Sequence, residues 1–188
     1  MPPVASLPAR AAAFLQREWL PVALFAVYCC VVLTALPQEL VQDSWLTLVS
    51  GREVVEHGLP ERDHLTVWTL GSTWIDQQWG AQVAFYGLFL AGGIKLVMLV
   101  HAGVLAAAFA VGLAAARHGG ASPKAVVLVG AVTMFMAPWA LQMRAQTLSS
   151  LLFVLVLWLL VADSRSPSRR VFLVVPLLVV WANVHGTV

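Results

Sequence analysis

Charge is scarce in this chain. Only 11% of its residues are Asp, Glu, Lys or Arg and 60% are hydrophobic, with a mean hydropathy of +0.84, whereas a soluble domain carries about 25% charge. So few charges cannot clothe a single core of 188 residues in a water-facing surface. That excludes an ordinary cytoplasmic enzyme, a disordered chain and a nucleic-acid-binding module. The composition points to an all-α, polytopic bundle of membrane helices.

Cysteine is equally sparse. Cys29 and Cys30 are neighbours inside an apolar run, a spacing unsuited to a structural disulfide and remote from any metal-ligand cluster, so they read as small packing residues. There is no C-x-x-C pair, no H-E-x-x-H, no G-x-G-x-x-G after a strand and no Walker loop. Metalloprotease, dinucleotide-binding and ATPase readings fall with them.

What the chain does have is long uncharged runs: 19–38, 77–94, 96–116, 125–143, 145–162 and 171–188. A span needs about 20 mostly apolar residues. Five runs fit, while 77–94 is weakened by Gln77, Gln78, Gln82, Gly87, Gly92 and Gly93. Charge parity settles its status. If 77–94 does not cross, one side carries Arg10, Arg17, Arg117, Lys124, Arg165, Arg169 and Arg170 against Glu18 and Asp163. The other side carries Arg52, Arg62, Lys95 and Arg144 against Glu39, Asp43, Glu53, Glu56, Glu61, Asp63 and Asp76. Positive short loops mark the cytoplasmic face. The expected topology is a cytoplasmic tail over 1–18 and a membrane domain over 19–188. Its five spans fall near 19–37, 95–116, 125–142, 146–162 and 171–185, in the inner (cytoplasmic) membrane with the N-terminus inside. The apolar part of the first run is longer than a signal-peptide core, so it reads as a retained anchor. A chain stopping at Val188, at the end of a span, reads as the N-terminal part of something longer.

The outer loop over 38–93 is long enough to need structure of its own. Asp43-Ser44 can cap a helix from Trp45 to Glu56, ended by Gly58 and Pro60, with an apolar face through Trp45, Leu48, Val49 and Val55 suited to the bilayer surface. Leu65–Thr69 and Thr73–Ile75 look like strands of a small hairpin joined by Leu70-Gly71-Ser72. A second interfacial helix runs from Trp79 to about Leu90, broken by Gly92-Gly93 before the next span.

The residues with chemistry to offer gather around this loop. Asp43, Asp63 and Asp76 each read as a helix cap or turn former, and together as carboxylates able to serve a general base or a divalent cation. Arg144, with Gln146, reads either as an interfacial snorkelling residue or as a bidentate partner for phosphate. Asn183 and His185 close the last span as interfacial decoration or as ligand contacts. His101, inside the second span, reads as a hydrogen-bonded packing histidine. Trp19, Trp139 and Trp158 suit an interfacial belt.

Several blocks together resemble bacterial polytopic glycosyltransferases of the C-type superfold. They are Asp43-Ser44-Trp45 through Gly51-Arg52, His57-Gly58-Leu59-Pro60 with Asp63, Trp74-Ile75-Asp76-Gln77-Gln78-Trp79, Arg144-Ala145-Gln146, and Trp181-Ala182-Asn183-Val184-His185-Gly186. They are similar to that group's D-x-W-W-H-L-x-T-G-R, H-G-x-x-P-x-x-D, W-V-x-H-E-W-L, R-x-Q and W-A-N-x-H-G patterns. The resemblance covers most of 40–188. It implies an outer-face cleft under two surface helices and transfer of a sugar from a polyprenyl-phosphate carrier. It implies Asp43 as base or metal contact, and Arg144 or His185 on the carrier phosphate. The chain departs from the pattern at Thr47, where a His is usual, and at Gln77-Gln78, where His-Glu is usual. Glutamine cannot act as a base, which leaves that block the binding of sugar hydroxyls. The expected partners are the bilayer and a polyprenyl-phosphate-linked sugar, with no nucleic acid. The rival expectations are a non-catalytic scaffold of cell-envelope assembly and a transporter. The second is disfavoured by the absence of an internal repeat.

Overall fold

A computed structural model describes residues 7–38, 40–136 and 138–186. Glu39 of the acidic rim, the side chain of Trp139 and residues 187–188 lie outside the described residues. Helix α1 (Leu7–Ala35) bends at Glu18, where φ is −111° and ψ 16°. The cause is Pro21, which lacks an N–H and whose ring crowds the preceding turn. A short 3-10 turn leads to α2 (Gln42–His57), which ends at Gly58 with φ 88°. After an irregular segment comes α3 (Trp79–His118), then α4 (Pro123–Met136), a 3-10 turn at Pro138–Leu141, α5 (Gln146–Arg165), a 3-10 stretch at Arg169–Leu173 and α6 (Val174–Val184).

Three of these helices, α1, α3 and α5, are long and apolar enough to cross a membrane, and they point to a membrane protein. Helix α4 has 14 residues and α6 has 11, short of the roughly 20 a straight helical span needs. The break expected in 77–116 falls at Gly92 and Gly93, whose backbones leave the helix (φ 66° at Gly93). Helix α3 is therefore two arms, the first against α2 and the second in the bundle.

Inter-helix contacts fix the directions. The second arm of α3 runs antiparallel to α1: Ala102 and Leu105 share a cluster with Tyr28 and Val32, and Arg117 reaches Glu18. It runs parallel to α5, since His101 meets Thr147, Gly112 faces Val154 and Gly119 meets Arg165. Parallel neighbours require a return passage, and the segment through α4 and the Pro138–Leu141 turn supplies it, packing on α1 where Gly130 faces Leu24. Basic Arg17, Arg117 and Arg165 collect at one end of the bundle. The pair Asp43–Arg144 lies at the other.

One expectation needs correction. Among the described residues there is no strand in the segment between α2 and Trp79, only one isolated antiparallel bridge between Arg62 and Thr73. The buried Asp63 carboxylate captures the Leu65 and Thr66 N–H groups at 2.9 and 3.0 Å and both the Thr66 and Thr69 hydroxyls. Those groups are then unavailable to a ladder. Cys29 is half-buried and Cys30 exposed, both as free thiols.

Candidate functional site

Helix α2 meets the first arm of α3 through small residues. Ser44, Thr47, Leu48 and Gly51 are buried, while Trp45, Val49 and Val55 on the opposite side are exposed. A Cβ on Gly51 would stand 2.2 Å from the backbone oxygen of Gln82, so only glycine permits this approach. Ser44 Oγ accepts from the Val41 N–H at 3.0 Å and donates to the Met143 carbonyl at 2.7 Å. Asp43 therefore lies inside the first turn of α2, not at its cap, and its exposed carboxylate is directed at the segment before α5.

That segment is held from beneath by His101, which is fully buried. The Leu141 carbonyl, 2.7 Å from Nε2, can only accept, so Nε2 carries the proton and Nδ1 accepts from the Thr147 hydroxyl at 3.1 Å. Thr147 Oγ1 in turn accepts from the Arg144 N–H at 3.4 Å. With Met143 and Ala145 buried on either side, Arg144 is left with one direction to extend. Its Nε lies 3.3 Å from Asp43 Oδ2, an ion pair without hydrogen-bond geometry, and a terminal nitrogen donates to Gln142 Oε1.

The result is a cavity of about 210 Å³ walled by Asp43, Thr47, Gln78, Gln82, Arg144 and Gln146. A second cavity of about 250 Å³ shares Leu46, Gln78 and Gln82 with the first and adds Glu53, Asp63, His64, Asp76 and Gln77. Asp76 Oδ1 accepts from the Gln78 N–H at 2.9 Å and from Gln82 Nε2 at 3.2 Å, and burial raises its pKa above the ordinary carboxylate range. Asp63 is held below that range, chiefly by the Thr66 hydroxyl and then by that of Thr69. Its acceptor capacity is spent on the loop.

Asn183 faces neither cavity. Its Oδ1 accepts from Trp79 Nε1 at 3.1 Å and its Nδ2 donates to the Val179 carbonyl at 2.8 Å, while its backbone oxygen sits against Gly80. With Gly186 against Gln77, the end of α6 clamps the start of α3. His185 is buried and lines a third, largely apolar cleft of about 740 Å³ among the bundle helices, together with Tyr28, Phe109, Phe153 and Trp181. Gln146 borders both this cleft and the Asp43–Arg144 cavity.

Of the residues expected to act, the structure thus brings Asp43, Gln78, Arg144 and Gln146 together, puts Asp63, Asp76 and Gln77 in the adjoining cavity, and sets Asn183 and His185 apart. Sequence reasoning passed over Gln82, which is buried between the two cavities with its Oε1 lacking a partner among the described residues. Its signal was a lone amide one turn after Gln78 on an otherwise apolar helix. No group of three or more His, Cys, Asp or Glu capable of holding a metal occurs among the described residues. Asp43, the expected metal contact, faces a guanidinium. That donor set does not fit a protein-held divalent cation, and no step is assigned to one. Comparison with protein-family models, curated proteins and solved structures finds no match.

Proposed function

We propose that this chain is part of a membrane glycosyltransferase that moves a sugar from a polyprenyl-phosphate donor to an acceptor hydroxyl at the outer face of the cytoplasmic membrane. The observation that carries the reading is the cavity joining Asp43 and Arg144, bordered by a residue, Gln146, that also lines the large apolar cleft. A phosphate at Arg144 with its isoprenoid tail in that cleft is the ligand shape such a junction suits. The five-crossing topology with the N-terminus inside belongs to the same proposal. It is supported by the parallel course of α3 and α5 and by the collection of basic residues at the opposite end.

In this mechanism the Asp43 carboxylate takes the proton of the acceptor hydroxyl. The freed oxygen forms a bond to the anomeric carbon, and the bond from that carbon to the phosphate oxygen breaks. The electron pair leaves on polyprenyl phosphate, whose charge Arg144 receives. An arriving phosphate competes with Asp43 for the guanidinium, so binding itself releases the carboxylate. Gln77 and Gln78 offer amides to sugar hydroxyls. The test is transfer from lipid-linked sugar in membranes carrying the protein or its Asp43→Asn variant. Transfer should vanish in the variant while expression persists; an active variant removes Asp43 as the base, and absent transfer in both returns the scaffold reading.

A further inference from the structure

At the end of the bundle opposite the candidate site, two arginines converge on one carboxylate. Glu18 is buried at the bend of α1 and accepts from Arg117 Nε at 2.6 Å and from a terminal nitrogen of Arg117 at 2.7 Å. The remaining terminal nitrogen of Arg117 donates to the Ala121 carbonyl, so that guanidinium is committed on every side. Arg17 gives Glu18 only its Nε, at 3.0 Å. Its two terminal nitrogens make no hydrogen bond among the described residues, and its side chain is 74% exposed. Two positive groups against one negative leave the cluster with an unneutralised positive charge. Directly beside it lies a cleft of about 640 Å³ between α1 and α3, walled by Phe14, Val22, Phe25 and Leu113 and bordered by His118.

We propose that this cleft binds an anionic phospholipid, its phosphate on the free fork of Arg17 and an acyl chain against Phe14, Val22, Phe25 and Leu113. The occupant follows from charge and shape together. An apolar trough in a bundle with helices long enough to cross a membrane meets lipid chains, and an excess guanidinium at its mouth selects an anionic headgroup over a zwitterionic one. Glu18 does not repel the headgroup, because Arg117 already occupies both of its oxygens. The bend made by Pro21 turns the first part of α1 and sets Arg17 beside the trough. This inference is independent of any reaction at the other end of the protein.

The experiment is native mass spectrometry of the protein released from nanodiscs containing equal phosphatidylglycerol and phosphatidylcholine. The wild type should retain phosphatidylglycerol over phosphatidylcholine by roughly five-fold, the discrimination expected of one basic residue near the surface. Arg17→Gln should abolish that preference without lowering the melting temperature, since the Glu18–Arg117 pair remains. Val22→Trp, which fills the trough but keeps the charge, should lower retention of both lipids. Inorganic phosphate in excess should not displace the bound lipid. Equal retention of the two lipids by the wild type, an undiminished preference in Arg17→Gln, or displacement by phosphate alone would each overturn the proposal.

Discussion

Arg144 and Asp43 meet with Nε and Oδ2 3.3 Å apart, joining the first turn of α2 to the segment that opens α5. Both side chains are more than a third exposed, so the pair contributes about 1 kcal/mol or less to stability. Asp43→Asn and Arg144→Gln should therefore leave the thermal melt in detergent almost unmoved. Loss of sugar transfer without loss of fold is the expected signature. A melting temperature lowered by many degrees in either variant would assign the pair to folding instead.

His101 should behave in the opposite way. It is fully buried, and His101→Ala leaves both the Leu141 carbonyl and the Thr147 hydroxyl without their partner. Each orphaned polar group costs about 1–3 kcal/mol, and the vacated volume adds to that. A clear drop in melting temperature is expected, together with weakened binding at Arg144, because the backbone that positions it is no longer held. A variant as stable as the wild type would show that the segment is fixed by Met143 and Ala145 alone.

Gly51 is the tightest point between α2 and α3. A methyl group there would lie 2.2 Å from the Gln82 backbone oxygen and 2.8 Å from Tyr86 Cβ, neither of which is a flexible side-chain end. Gly51→Ala should separate the two helices, costing about 1–3 kcal/mol as overpacking does and opening the wall shared by the two cavities. Gly87, with open space around it, provides the control: Gly87→Ala should be neutral or stabilising in the same melt, as glycine in a helix is costlier than alanine.

The loop between α2 and α3 should keep its structure well into mild acid. Asp63 titrates below the ordinary carboxylate range because the Thr66 and Thr69 hydroxyls and two backbone N–H groups bind its charged form. A depressed folded-state pKa gives stability that is complete above the unfolded value, near pH 4, and that is lost as pH falls toward the folded one. Hydrogen exchange at the Leu65 and Thr66 amides should show constant protection between pH 7 and 5 and a decline only below about 4. Asp63→Asn should expose both amides already at pH 7. Protection lost in the wild type between pH 7 and 5 would contradict the assignment.

How far the sequence discloses all this depends on the range of the interaction. The break at Gly92-Gly93 was legible because its cause is local, two adjacent residues without a Cβ, whereas the helix expected over 45–56 begins three residues earlier, at Gln42. The gathering of Arg17, Arg117 and Arg165 at one end of the bundle follows the charge pattern along the sequence. The hairpin was misread because alternation cannot reveal that one carboxylate will take the N–H groups a ladder needs. Asn183 as a clamp on Trp79, and Gln82 as the wall between two cavities, depend on residues far apart in the chain.

The number of crossings can be tested directly. Helix α4 alone is too short for a span, yet α3 and α5 run parallel, so the stretch between them must return the chain from Gly119 to Arg144. If that return crosses the bilayer, the loop at Val67 and the turn at Ser166 lie on opposite sides. Val67 is 86% exposed and Ser166 is exposed, so each accepts a reporter. In a background carrying Cys29→Ala and Cys30→Ala, Val67→Cys should react with a membrane-impermeant maleimide on intact cells. Ser166→Cys should react only after permeabilisation. Labelling of both from the outside would contradict the parallel packing of α3 and α5, in which Arg165 touches Gly119 and Thr147 touches His101. The basic end would then face outward, against the rule that places positive loops in the cytoplasm, and the Asp43–Arg144 cavity would need another account of how it meets a lipid-linked donor.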